Sequence, residues 1–151
     1  MRKILVPVDF SEVTDRVITE AARLARIFSA ELWLLYVALP PQEFVGTNFE
    51  PPVARKVQDE NLQEERTKLQ QTALKFRQAG IKTIPLFIQG PLVKTILEQA
   101  NKLKADLIVM GSHGHGAIYS NLLGSVTEGV LRETTIPLYI VPAEKTGENT
   151  N

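Results

Sequence analysis

The residues from Gly111 to Thr127, GSHGHGAIYSNLLGSVT, gather four of the chain's nine glycines and both of its histidines. Binding an anion takes bare main chain that can be approached closely, with N–H and O–H donors beside it. Gly111 and Gly114 allow that approach directly after an apolar run, and Gly124 allows it where a helix begins. At that start the N–H groups of Ser125, Val126 and Thr127 lack intrahelical acceptors, and the helix dipole favours negative charge. Ser125 and Thr127 add two hydroxyls, so the spacing reads as a phosphate cradle. The competing reading makes the glycines plain turn residues and Ser125 a simple helix cap.

Other phosphate and hydrolase motifs fail on the same letters. Gly111 and Gly116 have Walker A spacing, but Ala117 and Ile118 stand where Lys and Ser/Thr are needed. Gly114-x-Gly116-x-x-Tyr119 lacks the third glycine of a dinucleotide fingerprint, and no G-x-S-x-G elbow occurs. His113 and His115 are able to act as acid or base on a phosphate, but a zinc site would need carboxylates from elsewhere. We therefore expect no metal held by protein side chains, and no base-and-orienter pair for efficient hydrolysis. Tyr119, Leu122 and Leu123 are expected to pack beside the helix start rather than to line a ligand.

A cradle needs elements to hold it. KILVPV reads as a strand, with Pro7 near its end or at a bulge because proline cannot donate to a ladder. Helical periodicity follows, with Val13, Val17, Ala21, Leu24 and Phe28 on one face, Ser11 as cap, and Glu12 and Asp15 near the positive end. ELWLLYVAL reads as a second strand covered on both faces and ending near Val37. The stretch from Ala38 to Pro52 holds four prolines and reads as a long loop. A charged helix then carries Leu62, Leu69, Ala73 and Phe76 and stops at Gly80. IKTIPLFI is a third strand, Gly90-Pro91 opens a helix with Leu92, Ile96, Leu97, Ala100 and Leu103, and ADLIVMG is a fourth strand. SVTEGVLRETT is a short helix, IPLYIVP a last strand, and residues 144–151 a disordered polar tail. Strands alternating with helices imply an α/β fold, a parallel sheet with helices on both faces, in which ligands sit beyond the carboxyl ends of the strands.

The 151 residues suit one domain, spanning 1–143, and a 44% hydrophobic content is enough for a core. Seventeen basic residues balance seventeen acidic ones, so bulk charge gives no reason to expect nucleic acid or anionic membrane as a partner. The absence of cysteine excludes disulfides and thiolate chemistry and fits a reducing compartment. The apolar run after Met1-Arg-Lys is too short for a signal peptide or membrane span, and the reading is a soluble cytoplasmic protein.

Gly111-x2-Gly114-x9-Gly124-Ser125 resembles the ATP-binding signature of the universal stress protein family, and the resemblance runs from KILVPVDFS through ADLIVMGSHG to LLGSVTEGVLRETTIPLYIVP. It implies a five-stranded parallel sheet ordered 3-2-1-4-5, Rossmann-like and similar to the adenine nucleotide alpha hydrolases, usually dimeric. It also implies binding of ATP, ADP or AMP, commonly with Mg. By this likeness Pro7 belongs with the nucleotide-binding residues, Asp9 two residues on lies near ribose and adenine, and the main chain of Val37 meets the adenine. Met110 and Gly111 lie beneath the ribose, and Gly114, Gly124, Ser125, Val126 and Thr127 surround the phosphates. His113 occupies a variable place within the signature, and His115 stands where many members carry Arg or Lys, which makes the phosphate grip weaker or pH-sensitive.

Three functions follow as alternatives. The first is a regulatory ATP-binding module in stress response, homodimeric through the last strand Ile136 to Val141, whose exposed edge is free to pair with another copy. It would signal to a regulatory protein that the sequence does not identify. The second is a slow ATPase or phosphoryl-transfer enzyme using His113 or His115, and the third a nucleotide-free structural or chaperone-like dimer.

Overall fold

The computed structural model describes residues 1–40, 52–113 and 123–143. Expectations for the loop over 41–51, for Gly114, His115, Tyr119 and Leu122, and for the tail over 144–151 lie outside the described residues. In chain order the elements are β1 (Lys3–Val8), α1 (Thr14–Phe28), β2 (Glu31–Ala38), α2 (Pro52–Gln78), β3 (Thr83–Gln89), α3 (Leu92–Leu103), β4 (Leu107–Gly111), α4 (Ser125–Glu133) and β5 (Leu138–Val141). The five strands form one sheet in the order β3-β2-β1-β4-β5, and every pairing is parallel.

Period-two alternation along the central strands sends side chains to two separate cores. Ile4, Val6 and Val8 of β1 join Leu32 and Leu34 of β2 and Val109 of β4 beneath α1 and α2. Leu5, Leu35, Val37, Ile108 and Met110 face the other way, against Ile96 and Ala100 of α3 and Val130 of α4. Strands covered on both faces must be apolar at nearly every position, which is why β1, β2 and β4 read as continuous apolar runs.

The two strand prolines obey the ladder. The Lys3 carbonyl accepts from the Asp106 N–H, so odd-numbered β1 residues aim at β4. Pairing between β1 and β4 covers only Ile4 with Leu107 and Leu5 with Ile108, so Pro7 stands where β4 asks for no donor. Pro85 pairs with Leu34 in the edge strand β3, and the bond from Leu32 N–H to the Lys82 carbonyl puts even-numbered β3 residues toward β2. Its missing N–H therefore faces the open edge.

Two expectations for α1 are corrected. The helix begins at Thr14 with Val13 at its cap and no side-chain cap bond, whereas Ser11 was expected to cap it. The Asp9 carboxylate instead organises the turn before the helix: Oδ1 accepts the Ser11 N–H at 3.0 Å and the Thr14 hydroxyl at 3.3 Å. A charged acceptor organises the turn more strongly than a neutral hydroxyl. Phe28, expected on the buried face, is 47% exposed. Ala25 is the last buried residue of α1, so the core ends one turn before the helix does, and left-handed Ser29 then stops it. The stop at Gly80 is as expected: its φ is +87°, and the Ile81 N–H returns to the Phe76 carbonyl.

Candidate functional site

Beyond Leu5 and Ile108, β1 and β4 are no longer paired, and this opening at the carboxyl end of the sheet is where the chain order reverses direction. Asp9 follows β1, Val37 lies near the end of β2, and Met110 and Gly111 end β4. Val37 and Met110 are buried in the same packed cluster on the α3 and α4 side. Asp9, Val37, Met110 and Gly111 are thus brought to one end of the sheet, and Pro7 stands on β1 just below them.

Gly111 has a different reason for lacking a side chain than ligand approach. A Cβ there would lie 2.7 Å from Val13 Cγ1, 3.1 Å from the His113 carbonyl oxygen and 3.3 Å from Val17 Cγ2. The glycine lets α1 press against the end of β4, with its Cβ side turned into the protein.

Two bonds fix the start of α4 to that strand end, and a third ties the same end to β5. The Gly124 N–H donates to the Ser112 carbonyl at 2.7 Å, and the Thr127 hydroxyl donates to the Gly111 carbonyl at 2.8 Å. The Ser112 N–H reaches the Val141 carbonyl at 2.9 Å, so β4, β5 and α4 meet at one residue. Thr127 is buried and its single proton is committed to Gly111, so its hydroxyl is a strut and only its main-chain N–H remains for a ligand. Gly124 takes an extended conformation, and its carbonyl accepts the Glu128 N–H. The helix leaves the N–H groups of Ser125, Val126 and Thr127 without intrahelical acceptors. The Val126 side chain packs into the α3 and α4 core and Ser125 is exposed, so Val126 would contribute main chain alone.

Sequence reasoning missed Ser112. It is buried, its hydroxyl oxygen accepts the Ala143 N–H at 3.0 Å, and it lies 3.0 Å from His113 Nδ1. A lone serine between glycine and histidine has no periodic signal; only its place after an apolar strand could have marked it. His113 is half-buried against this serine. Among the described residues no group of three His, Cys, Asp or Glu stands together to hold a metal ion. Among them also, no helix is long and apolar enough to cross a membrane.

The family model for the universal stress protein family matches residues 1–142. Universal stress protein MJ0531 of Methanocaldococcus jannaschii is 33% identical over 146 residues, covering 95% of this chain and 84% of the relative. The solved structure of MJ0577, a universal stress protein of the same organism, superposes with a TM-score of 0.84 at 26% identity, over 96% of this chain and 98% of that one. Two more distant structures share the fold. One is a universal stress protein in complex with cAMP, with TM-score 0.64 and 23% identity over 93% of this chain and 96% of that one. The other is the Archaeoglobus fulgidus protein in complex with dAMP, with TM-score 0.64 and 20% identity over 93% of this chain and 97% of that one.

Proposed function

This chain belongs to the universal stress protein family, and on that premise we propose that it is a regulatory module that binds adenine nucleotide, ATP with magnesium in the first place, at the opening between β1 and β4. The observation that carries the reading is the start of α4. Gly124 and Thr127 are tied to Ser112 and Gly111, which holds three N–H groups of a helix N-terminus ready at the carboxyl end of β4. Preorganised donors of this kind favour an anion without further ordering cost. Two family members of the same fold are seen with cAMP and dAMP, both adenine nucleotides, which supports the choice of base.

In this reading Asp9 and the main chain of Val37 meet ribose and adenine, and Met110 and Gly111 lie beneath the sugar. Gly114, Gly124, Ser125, Val126 and Thr127 surround the phosphates, with His113 and His115 at their margin. Magnesium arrives on the phosphates rather than on protein side chains. The protein works in the cytoplasm as a homodimer through Ile136 to Val141. The Pro137 and Val141 carbonyls accept from Ile108 and Ser112, so Leu138 and Ile140 present their main-chain groups to the open edge for a second copy.

Gly124→Val tests the cradle. A side chain at the helix start is expected to abolish ATP binding while the circular dichroism spectrum and melting behaviour stay near wild type. A folded variant with unchanged ATP affinity would contradict the placement.

A further inference from the structure

On the face of the sheet opposite Val37 and Met110, three aromatic rings from three elements stand in a row. Phe10, in the turn after β1, stacks on Tyr36 of β2 at 5.6 Å with 28° between the planes. Tyr36 stacks on Phe87 of β3 at 5.3 Å with 19°. Helix α2 lies across the row and places a cation over each end: Lys68 Nζ is 5.7 Å from the Phe10 ring, and the Arg66 guanidinium carbon is 4.5 Å from the Phe87 ring. On the same helix Glu65 is half-buried, with Oε1 3.9 Å from Lys68 Nζ. Among the described residues its Oε2 is buried without a hydrogen-bond partner, as is the Ser11 hydroxyl next to Phe10. Burial first, then the charges of Glu65 and Asp9, raise the Tyr36 hydroxyl above its usual pKa, so both carboxylates are felt at the middle ring.

Phe10 has φ +56°, a left-handed backbone that a bulky residue adopts only when its surroundings force it. It follows directly on Asp9, whose carboxylate organises the turn. The Phe10 ring meets Tyr36 of β2 and the Lys68 cation of α2, and Phe87 of β3 backs Tyr36 from the other side, so the contacts made by this strained residue reach beyond the turn itself.

We infer that Phe10, Tyr36 and Phe87 are positioning residues for Asp9, and that the row links occupancy of the nucleotide site to the placement of α2. The inference rests on the nucleotide reading above and extends it to the element that responds. Linkage is reciprocal: if a nucleotide settles Asp9 and with it Phe10, it also settles α2, and loosening α2 weakens the nucleotide.

The test combines affinity with amide exchange on the full chain. Tyr36→Leu breaks the row at its centre and is expected to weaken ATP and AMP by the same factor of about ten, because Asp9 serves the base and sugar side that both ligands share. Phe87→Leu and Arg66→Gln, two strands from Asp9, are expected to weaken both ligands by about threefold. These two variants keep the test decisive if Tyr36→Leu does not fold. In the wild type, ATP is expected to slow amide exchange across residues 60–78 of α2, and in Tyr36→Leu to leave it unchanged. Folded variants with wild-type affinity, or α2 exchange indifferent to ATP in the wild type, would overturn the inference. Failure of the wild type itself to bind ATP would show instead that the nucleotide reading is at fault, and the linkage would fall with it.

Discussion

The two ends of the sheet are built on opposite plans. At the amino end, hydrogen bonds and an ion pair tie the strand starts to one another. Asp106 accepts the Arg2 and Lys3 N–H groups at 2.7 and 3.0 Å, Lys3 in turn accepts from Asp106, and the Glu31 N–H reaches Arg2. Glu31 also meets Lys82 at 2.8 Å and the Trp33 indole at 3.1 Å. At the carboxyl end β1 and β4 part after two residue pairs, Phe10 is left-handed, and among the described residues Ser11 and Glu65 each keep a buried polar atom without a hydrogen-bond partner. Left-handed backbone occurs at both ends, since Ser29 and Lys104 close α1 and α3 at the amino end, but the buried polar atoms that find no hydrogen-bond partner among the described residues, on Ser11 and Glu65, belong with Phe10 and Tyr36 at the carboxyl end.

That contrast can be broken in order of effect. Gly124→Val, at the carboxyl end, is expected to remove nucleotide binding altogether. Gly111→Ala drives a methyl group toward Val13 and the His113 carbonyl and is expected to lower stability by about 1–3 kcal/mol in urea unfolding. Stability equal to wild type would mean that α1 does not press on this glycine. Thr127→Val keeps the shape but leaves the Gly111 carbonyl without its 2.8 Å donor. The expected loss is about 1–2 kcal/mol, with weaker ATP binding because the helix start is less well held.

The smallest effect belongs to the amino end. The N–H groups of Arg2 and Lys3 hold the Asp106 carboxyl below its ordinary pKa of 3.8. A depressed folded-state pKa adds stability that is present above 3.8 and disappears as the pH falls through the lower, folded value. Asp106→Asn should therefore melt slightly below wild type at neutral pH, with the gap closing under acid. The residue is exposed, so the gap is small. ATP affinity should not change, and a change would mean that the two ends are not independent.

Much of this plan was legible in the letters. The runs KILVPV, ELWLLYVA and LIVMG announce doubly covered strands because both their faces must be apolar, and the glycine spacing points to the carboxyl end of β4. The parts that were not legible depend on geometry between elements. Whether Asp9 or Ser11 organises the turn is decided by a local contest between acceptors, not by helix preference. The exposure of Phe28 depends on how deep the sheet is beneath α1. That Phe10, Tyr36 and Phe87 stack is a consequence of strand order and register, since they are 26 and 51 residues apart along the chain. Gly111 was legible as a glycine that matters, but the reason, Val13 pressing from α1, needed coordinates.

The measurement that bears most directly on the central claim is a calorimetric titration of nucleotide-stripped protein with ATP and magnesium. Saturable binding at close to one nucleotide per chain is the expected result. No binding up to millimolar ATP would contradict the proposed function and leave the opening between β1 and β4 without a nucleotide to fill it.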